Sequence, residues 1–260
     1  MSRRYDAVIF DWAGTTVDYG SFAPVQAFAE AFQAHGIVPT LQELRGPMGL
    51  PKLDHIRAMF SMDRISKLWE KQQGRSWKEE DAERVFLLSE EIIMGILSDF
   101  AAPKPYVART VKELREMGIK IGSTTGYTAG MMEIVASKAA SLGYAPDCWF
   151  CPDDVNGKGR PWPYMIFRNM EKLGLQDISR VIKVGDTTAD ILEGRHAGMV
   201  TVGILEGSSV IGINQEEYEN LSGTEQEKLC SHAEQVYKEA GADYVIRDIR
   251  GILPILDGEI

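Results

Sequence analysis

Four stretches of the chain carry residues suited to handling a phosphoryl group, and three of them follow an apolar run. The run ending at Phe10 leads into Asp11-Trp12-Ala13-Gly14-Thr15-Thr16, which puts the Asp11 carboxylate in a glycine-containing turn at a strand's end. In an open α/β sheet that edge is where ligands bind. Val181–Val184 leads into Gly185-Asp186-Thr187-Thr188-Ala189-Asp190, two carboxylates four residues apart around a helix start. Helix capping accounts for one of them. The second points to a hard cation, because unpaired like charges raise each other's cost. Mg²⁺ takes one or two carboxylates and completes its octahedron with waters and substrate oxygens. Asp11 and Asp186 are therefore candidate direct ligands, with Asp190 either direct or one step removed.

The other two stretches supply anion-binding groups. Gly122-Ser123-Thr124-Thr125-Gly126-Tyr127 offers hydroxyls and turn amides at a strand's end, which can hold phosphoryl oxygens. Lys158-Gly159-Arg160-Pro161 places a cation before a helix start. The planar fork of Arg160 suits a phosphoryl group, with Lys158 as the alternative.

The elements that must position these groups alternate. Strands are predicted at Ala7–Phe10, Lys120–Ser123, Cys148–Phe150, Val181–Val184, Val200–Gly203 and Tyr244–Ile246, with helices at Tyr106–Met117, Gly130–Leu142 and Trp162–Leu173. That is the signature of a parallel sheet covered on both faces. Between Ser21 and Phe100 the pattern changes to helices alone: Pro24–His35, Leu41–Arg45, Lys52–Phe60, Arg64–Gln73 and Lys78–Leu97. This reads as a small helical domain (21–100) inserted into an α/β core (1–20 and 101–260). Asp18–Ser21 is the outgoing hinge and Ala101–Pro105 the return. Gly207–Gly223, polar and glycine-containing, is read as a surface connection.

Composition narrows the function. A 260-residue chain with 44% hydrophobic and 25% charged residues is ordinary for a globular protein. Its net charge of −10 argues against a nucleic-acid partner. It leaves room for a small anionic substrate, since a local arginine and a metal override the global sign. No apolar run approaches the about 18 residues of a spanning helix, so no membrane partner is expected. The start, Met1-Ser2-Arg3-Arg4, has no signal-peptide character. The three cysteines, Cys148, Cys151 and Cys230, fit a reducing compartment, and the expected location is cytoplasmic. Cys148-x-x-Cys151 has no second pair to complete a zinc site and is read as small buried residues.

The four motifs, in chain order and each at a strand's end, resemble the haloacid dehalogenase-like (HAD) hydrolases. The resemblance implies a Rossmann-like core under a helical cap, Mg²⁺, Asp11 as a nucleophile forming an aspartyl phosphate, and the Ala13 carbonyl as a further metal ligand. In that pattern a general acid usually stands where this chain has Ala13. Protonating an alkoxide leaving group is worth about 10²–10⁴ in rate. A P–C bond leaves a carbanion instead, which needs an electron sink such as an iminium on a lysine. Pro47-Met48-Gly49-Leu50-Pro51-Lys52-Leu53-Asp54-His55 supplies Lys52 at a helix start and His55 at i+3 on the same face. The positive helix end and burial favour a neutral amine.

Asp-Trp-Ala-Gly-Thr-Thr, Met-Gly-x-x-Lys-x-x-His and Gly-Ser-Thr-Thr-Gly-Tyr together resemble the phosphonoacetaldehyde hydrolases (phosphonatases) of that superfamily, over nearly the whole chain. The likeness implies a Schiff base on Lys52 assisted by His55, Met48 and Tyr127 around the carbonyl end, and a homodimer. The alternatives are a phosphomonoester phosphatase or phosphomutase, a haloalkanoate dehalogenase, which would leave Asp186 and Asp190 without purpose, and a non-catalytic binding protein of the same fold.

Overall fold

The computed structural model describes residues 4–48 and 50–258, so Gly49 of the cap motif and Met1–Arg3 of the start lie outside the described residues. Five parallel strands form one sheet in the order β2-β1-β3-β4-β5: β1 (Ala7–Phe10), β2 (Lys120–Ser123), β3 (Val181–Gly185), β4 (Val200–Ile204) and β5 (Tyr244–Ile246). β1 is buried along its whole length, as expected of a strand flanked on both sides and covered on both faces. Its register pairs Phe10 with Ser123 of β2 and with Val184 of β3. Asp11, Thr124 and Gly185 therefore leave the sheet side by side, at the point where the strand order reverses and ligands bind.

The predicted sixth strand, Cys148–Phe150, is a correction: only Phe150 pairs, through an isolated bridge to Thr124. Side chains take much of the ladder along this edge of β2. Asp147 Oδ2 accepts from the Ile121 N–H (2.8 Å), and Asn169 Oδ1 accepts from the Ser123 N–H (3.0 Å). Helices α6 (Val107–Glu116), α7 (Ala129–Ser141), α8 (Tyr164–Leu173), α9 (Thr188–Ala197), α10 (Gln215–Asn220), α11 (Gly223–Ala240) and α12 (Ile252–Asp257) accompany the sheet. α8 starts at Tyr164 because Pro163 occupies its N-cap. Gly207–Gly223 is also corrected. It contains α10, and Ser208, Ser209 and Ile211 are buried.

The inserted block is helical throughout: α1 (Phe22–Gln33), α2 (Leu41–Arg45), α3 (Lys52–Phe60), α4 (Asp63–Gln73) and α5 (Glu79–Ile96). α1 begins two residues earlier than predicted because Asp18 accepts from the Phe22 and Ala23 N–H groups (2.8 and 3.0 Å). Pro24 then falls in the first turn, where its missing donor is harmless. The cap has its own core, in which Phe60 packs on Phe32, Trp69 and Trp77 with centroids 5.1, 4.9 and 5.2 Å away. Phe86 joins the same cluster, so these aromatics serve the inside of the cap. Ala23, Ala27, Ile93 and Leu97 instead join the main core, rooting the block on the sheet domain.

Candidate active site

At the C-terminal edge of the sheet, under the cap, lies one cleft of about 520 Å³, partly open to solvent. Its floor comprises Asp11, Ala13, Thr125, Gly126, Tyr127, Arg160 and Asp186, and its roof Met48, Lys52 and His55, with Phe28 and Leu50. Ten residues singled out from the sequence thus share one space. Asp190 lies just beneath it, fully buried.

The floor is a charge lattice. Carboxylate oxygens of Asp11, Asp186 and Asp190 lie within 4.8 Å of one another. Arg160 reaches all around this cluster: it pairs with Asp11, with Asp190 at 3.1 Å and with Glu193 at 3.2 Å. Lys183 pairs with Asp190 at 2.9 Å and Glu193 at 3.3 Å. Thr124 Oγ1 donates to Glu193 (2.9 Å) and accepts from Lys183 (2.9 Å). Lys158, the alternative to Arg160, is exposed with its ammonium 5.2 Å from the Tyr164 ring centroid.

Asp186 is fixed from two sides, by the Thr15 hydroxyl (3.1 Å) and the Ser209 N–H (2.8 Å). Gly14, at φ +82°, makes room for it: a Cβ there would lie 2.2 Å from Asp186 Oδ2. Burial, reinforced by Asp11 and Asp190, pushes Asp186 up to about 7. Burial also raises Asp11, against the pull of Arg160. Two carboxylates resisting ionisation side by side, with oxygen-only donors, fit a hard divalent cation. Asp190 differs. Burial works against its charge, but Arg160 and Lys183 outweigh it and hold the group low. Its Oδ2 already accepts from the Thr187 hydroxyl (2.6 Å).

The roof is apolar. The Lys52 ammonium sits 4.7 Å from the Tyr127 ring centroid and 6.0 Å from that of Phe28. Among the described residues no carboxylate comes within ion-pair distance of it. Burial lowers Lys52 to about 8, with Glu90 and Asp18 opposing from further away. The His55 ring packs at a tilt against Phe28, with centroids 4.4 Å apart. Burial, then the Lys52 charge, pushes His55 down to about 3, so its ring is neutral. Its Nε2 is shielded and has no hydrogen-bond partner among the described residues, while the Leu44 carbonyl engages the ring. An amine poised to lose its proton thus faces a carboxylate cluster across one small cavity, a setting able to combine a carbonyl with a phosphoryl group.

Lys183, Glu193, Thr124 and Ser209 were not among the residues singled out from the sequence. A lysine interrupting the apolar run Val181–Val184 is a visible signal, and Glu193 follows Asp190 at i+3 on one helix face. Ser209 carries no such mark. The cysteines are free, and burial pushes Cys148 and Cys151 up to about 11, which makes them poor nucleophiles.

A family model described as haloacid dehalogenase-like hydrolase matches residues 5–198, and a HAD-hydrolase-like model matches residues 157–250. The phosphonoacetaldehyde hydrolase of Lysinibacillus sphaericus is 45% identical over 97% of this chain and 94% of its own length. That of Bacillus cereus is 45% identical over 98% and 96%. Among solved structures, a phosphonoacetaldehyde hydrolase like protein from Oleispira antarctica superposes with a TM-score of 0.94 at 38% identity, covering 98% of this chain and 92% of the other.

Proposed function

The chain belongs to the haloacid dehalogenase-like hydrolases and, within them, to the family of the phosphonoacetaldehyde hydrolases, and from that premise we propose that it hydrolyses the P–C bond of phosphonoacetaldehyde to acetaldehyde and phosphate. One observation carries the reading. Lys52, an amine with no carboxylate at ion-pair distance among the described residues, and Asp11 line one cavity, and position 13 on its floor carries an alanine instead of an acid.

Lys52 Nζ adds to the substrate aldehyde and water leaves, giving a protonated imine. His55, at i+3 from Lys52 on the same helix face, is assigned the movement of protons in this step. Asp11 attacks phosphorus in line with the P–C bond. The bonding pair moves toward the iminium nitrogen, leaving an enamine on Lys52 and a phosphoryl group on Asp11. Protonation of the enamine at carbon and hydrolysis release acetaldehyde and free Lys52. A second water cleaves the aspartyl phosphate. No alkoxide leaves in the first transfer, which accounts for an alanine at position 13.

Thr125, the Gly126 amide and Arg160 hold phosphonate oxygens, and Met48 and Tyr127 enclose the carbonyl end. Mg²⁺ would be held by Asp11, Asp186 and the Ala13 carbonyl, and it supplies positive charge that offsets the phosphoryl charge. Asp190, with its oxygens already engaged by Thr187, Lys183 and Arg160, orients this set from behind. Residues 21–100 form the cap domain and 1–20 with 101–260 the core, so cap closure assembles the site. The free cysteines fit a reducing cytoplasm. Family resemblance suggests a homodimer, which sedimentation equilibrium checks.

The test is borohydride trapping with phosphonoacetaldehyde, followed by peptide mapping. The expected result is a reduced two-carbon adduct on Lys52, together with acetaldehyde and phosphate release. Turnover of phosphomonoesters with no adduct would return the chain to the ordinary phosphatases.

A further inference from the structure

Arg45 ends α2, and the short loop after it runs to Lys52, the first residue of α3. Its guanidinium leaves the cap. Nη1 donates to the Gly20 carbonyl (2.8 Å) in the outgoing hinge and to the Ser209 carbonyl (3.2 Å) in the core. Among the described residues, the bond to Ser209 is the one side-chain hydrogen bond from the cap to the core outside the hinges. Ser209 is also the residue whose N–H holds Asp186 Oδ2 at 2.8 Å. A single peptide segment is thus gripped on one side by the cap and grips an acid of the phosphoryl site on the other.

The seat is shaped for this side chain. Gly212, at φ +66°, packs against the guanidinium so closely that a Cβ would lie 2.7 Å from Arg45 Nε. The Phe22 ring lies 4.8 Å from the guanidinium carbon. Yet Nε and Nη2 are shielded from water and have no acceptor among the described residues. Burying unpaired donors is costly, so local stability is a poor account of this placement. The carboxylates whose charge acts on Arg45 are Asp18 and Asp186, one at the hinge and one in the site.

We infer that Arg45 is a positioning residue that sets the separation between the Lys52 amine and the phosphoryl site, by docking the cap segment that carries Met48 and Lys52 onto the Ser209 carbonyl. The inference rests on the proposed reaction. Imine formation needs only the roof, whereas P–C cleavage needs roof and floor in register.

Arg45→Met in the full chain separates the two. The expected result is a fall in kcat of about 10- to 100-fold, the cost of a small misplacement between reacting groups, with the yield of borohydride adduct on Lys52 undiminished. Arg45→Lys should recover part of the loss, since an ammonium can still donate to the carbonyl. Hydrogen exchange at the Ser209 amide should quicken in Arg45→Met. An unchanged kcat, or a kcat that falls only in step with the adduct, overturns the inference. Should Arg45→Met fail to fold, Arg45→Lys carries the same comparison with a smaller fall. If the unsubstituted chain yields neither adduct nor acetaldehyde, the proposed reaction fails by itself. The exchange comparison then decides on Arg45 alone, and an unaltered Ser209 amide refutes its docking role.

Discussion

The carboxylates of the floor are buried and the lysine of the roof is half-buried, and desolvation has opposite consequences in the two. On the floor, Asp11, Asp190 and Glu193 are interleaved with Arg160 and Lys183 at ion-pair distance, and Asp190 keeps its charge despite complete enclosure. On the roof, Lys52 has aromatic faces for company and, among the described residues, no carboxylate at ion-pair distance, and burial lowers it to about 8. Desolvation penalises charge in both places. For Asp190 the close charges of Arg160 and Lys183 outweigh it, whereas nothing close offsets it for Lys52, which gives up its proton more readily than an ordinary lysine. The difference divides the labour: a floor with Arg160 and an acid cluster fit for a divalent cation suits a phosphoryl group, and a poorly solvated amine suits attack on a carbonyl.

The contrast breaks most severely at Lys52. Lys52→Arg keeps a cation on the roof but cannot form the imine, so turnover should fall by at least about 10⁴-fold and the borohydride adduct should vanish. Thermal unfolding should stay close to that of the unsubstituted chain. Measurable acetaldehyde production by this variant would remove the imine from the mechanism.

On the floor the conservative exchange is Arg160→Lys, which keeps the charge and loses the planar fork that spans Asp11, Asp190 and Glu193. We expect kcat/KM to fall by about 10²-fold, with inhibition by inorganic phosphate weakened in proportion. Phosphate inhibition that stays as tight as before would move the phosphonate away from Arg160.

How much of the molecule is legible in its sequence depends on how local each feature is. β1, β2, α2 and α3 have the expected bounds, because their signals lie within the element itself: an apolar run, or a helix following Gly-Leu-Pro. Residues that line the cavity can be found when they sit in turns directly after a strand, as Asp11, Thr125 and Asp186 do. The lattice beneath is not legible in this way. Thr124 and Glu193 are 69 residues apart, and Arg160 and Glu193 are 33 apart, so their partnership exists only once the sheet has aligned β1, β2 and β3. Ser209 is hidden for the same reason. Its polar, glycine-containing neighbourhood looks like surface, and its burial comes from Asp186 and Arg45 closing over it. Cys148–Phe150 fails as a strand because Asp147 and Asn169 use their side chains where backbone pairing is expected.

The smallest effect tests the roof most directly. If Lys52 must be neutral to attack, kcat/KM should rise with pH through about 8 and then level off. The free-amine fraction falls by about tenfold for each pH unit below that point. His55 cannot supply this limb, since it titrates near about 3. The same depression has a thermodynamic face with its own sign. A lysine whose folded pKa is lowered binds its proton more weakly in the fold than in the unfolded chain. Stability should therefore rise as pH climbs from about 8 toward the ordinary lysine value of 10.5. Lys52→Met, which removes the group, should flatten that rise while abolishing the kinetic limb. A kinetic midpoint near the ordinary lysine value, or a stability slope that Lys52→Met leaves unchanged, would mean that the roof solvates its amine and that the contrast with the floor is not electrostatic.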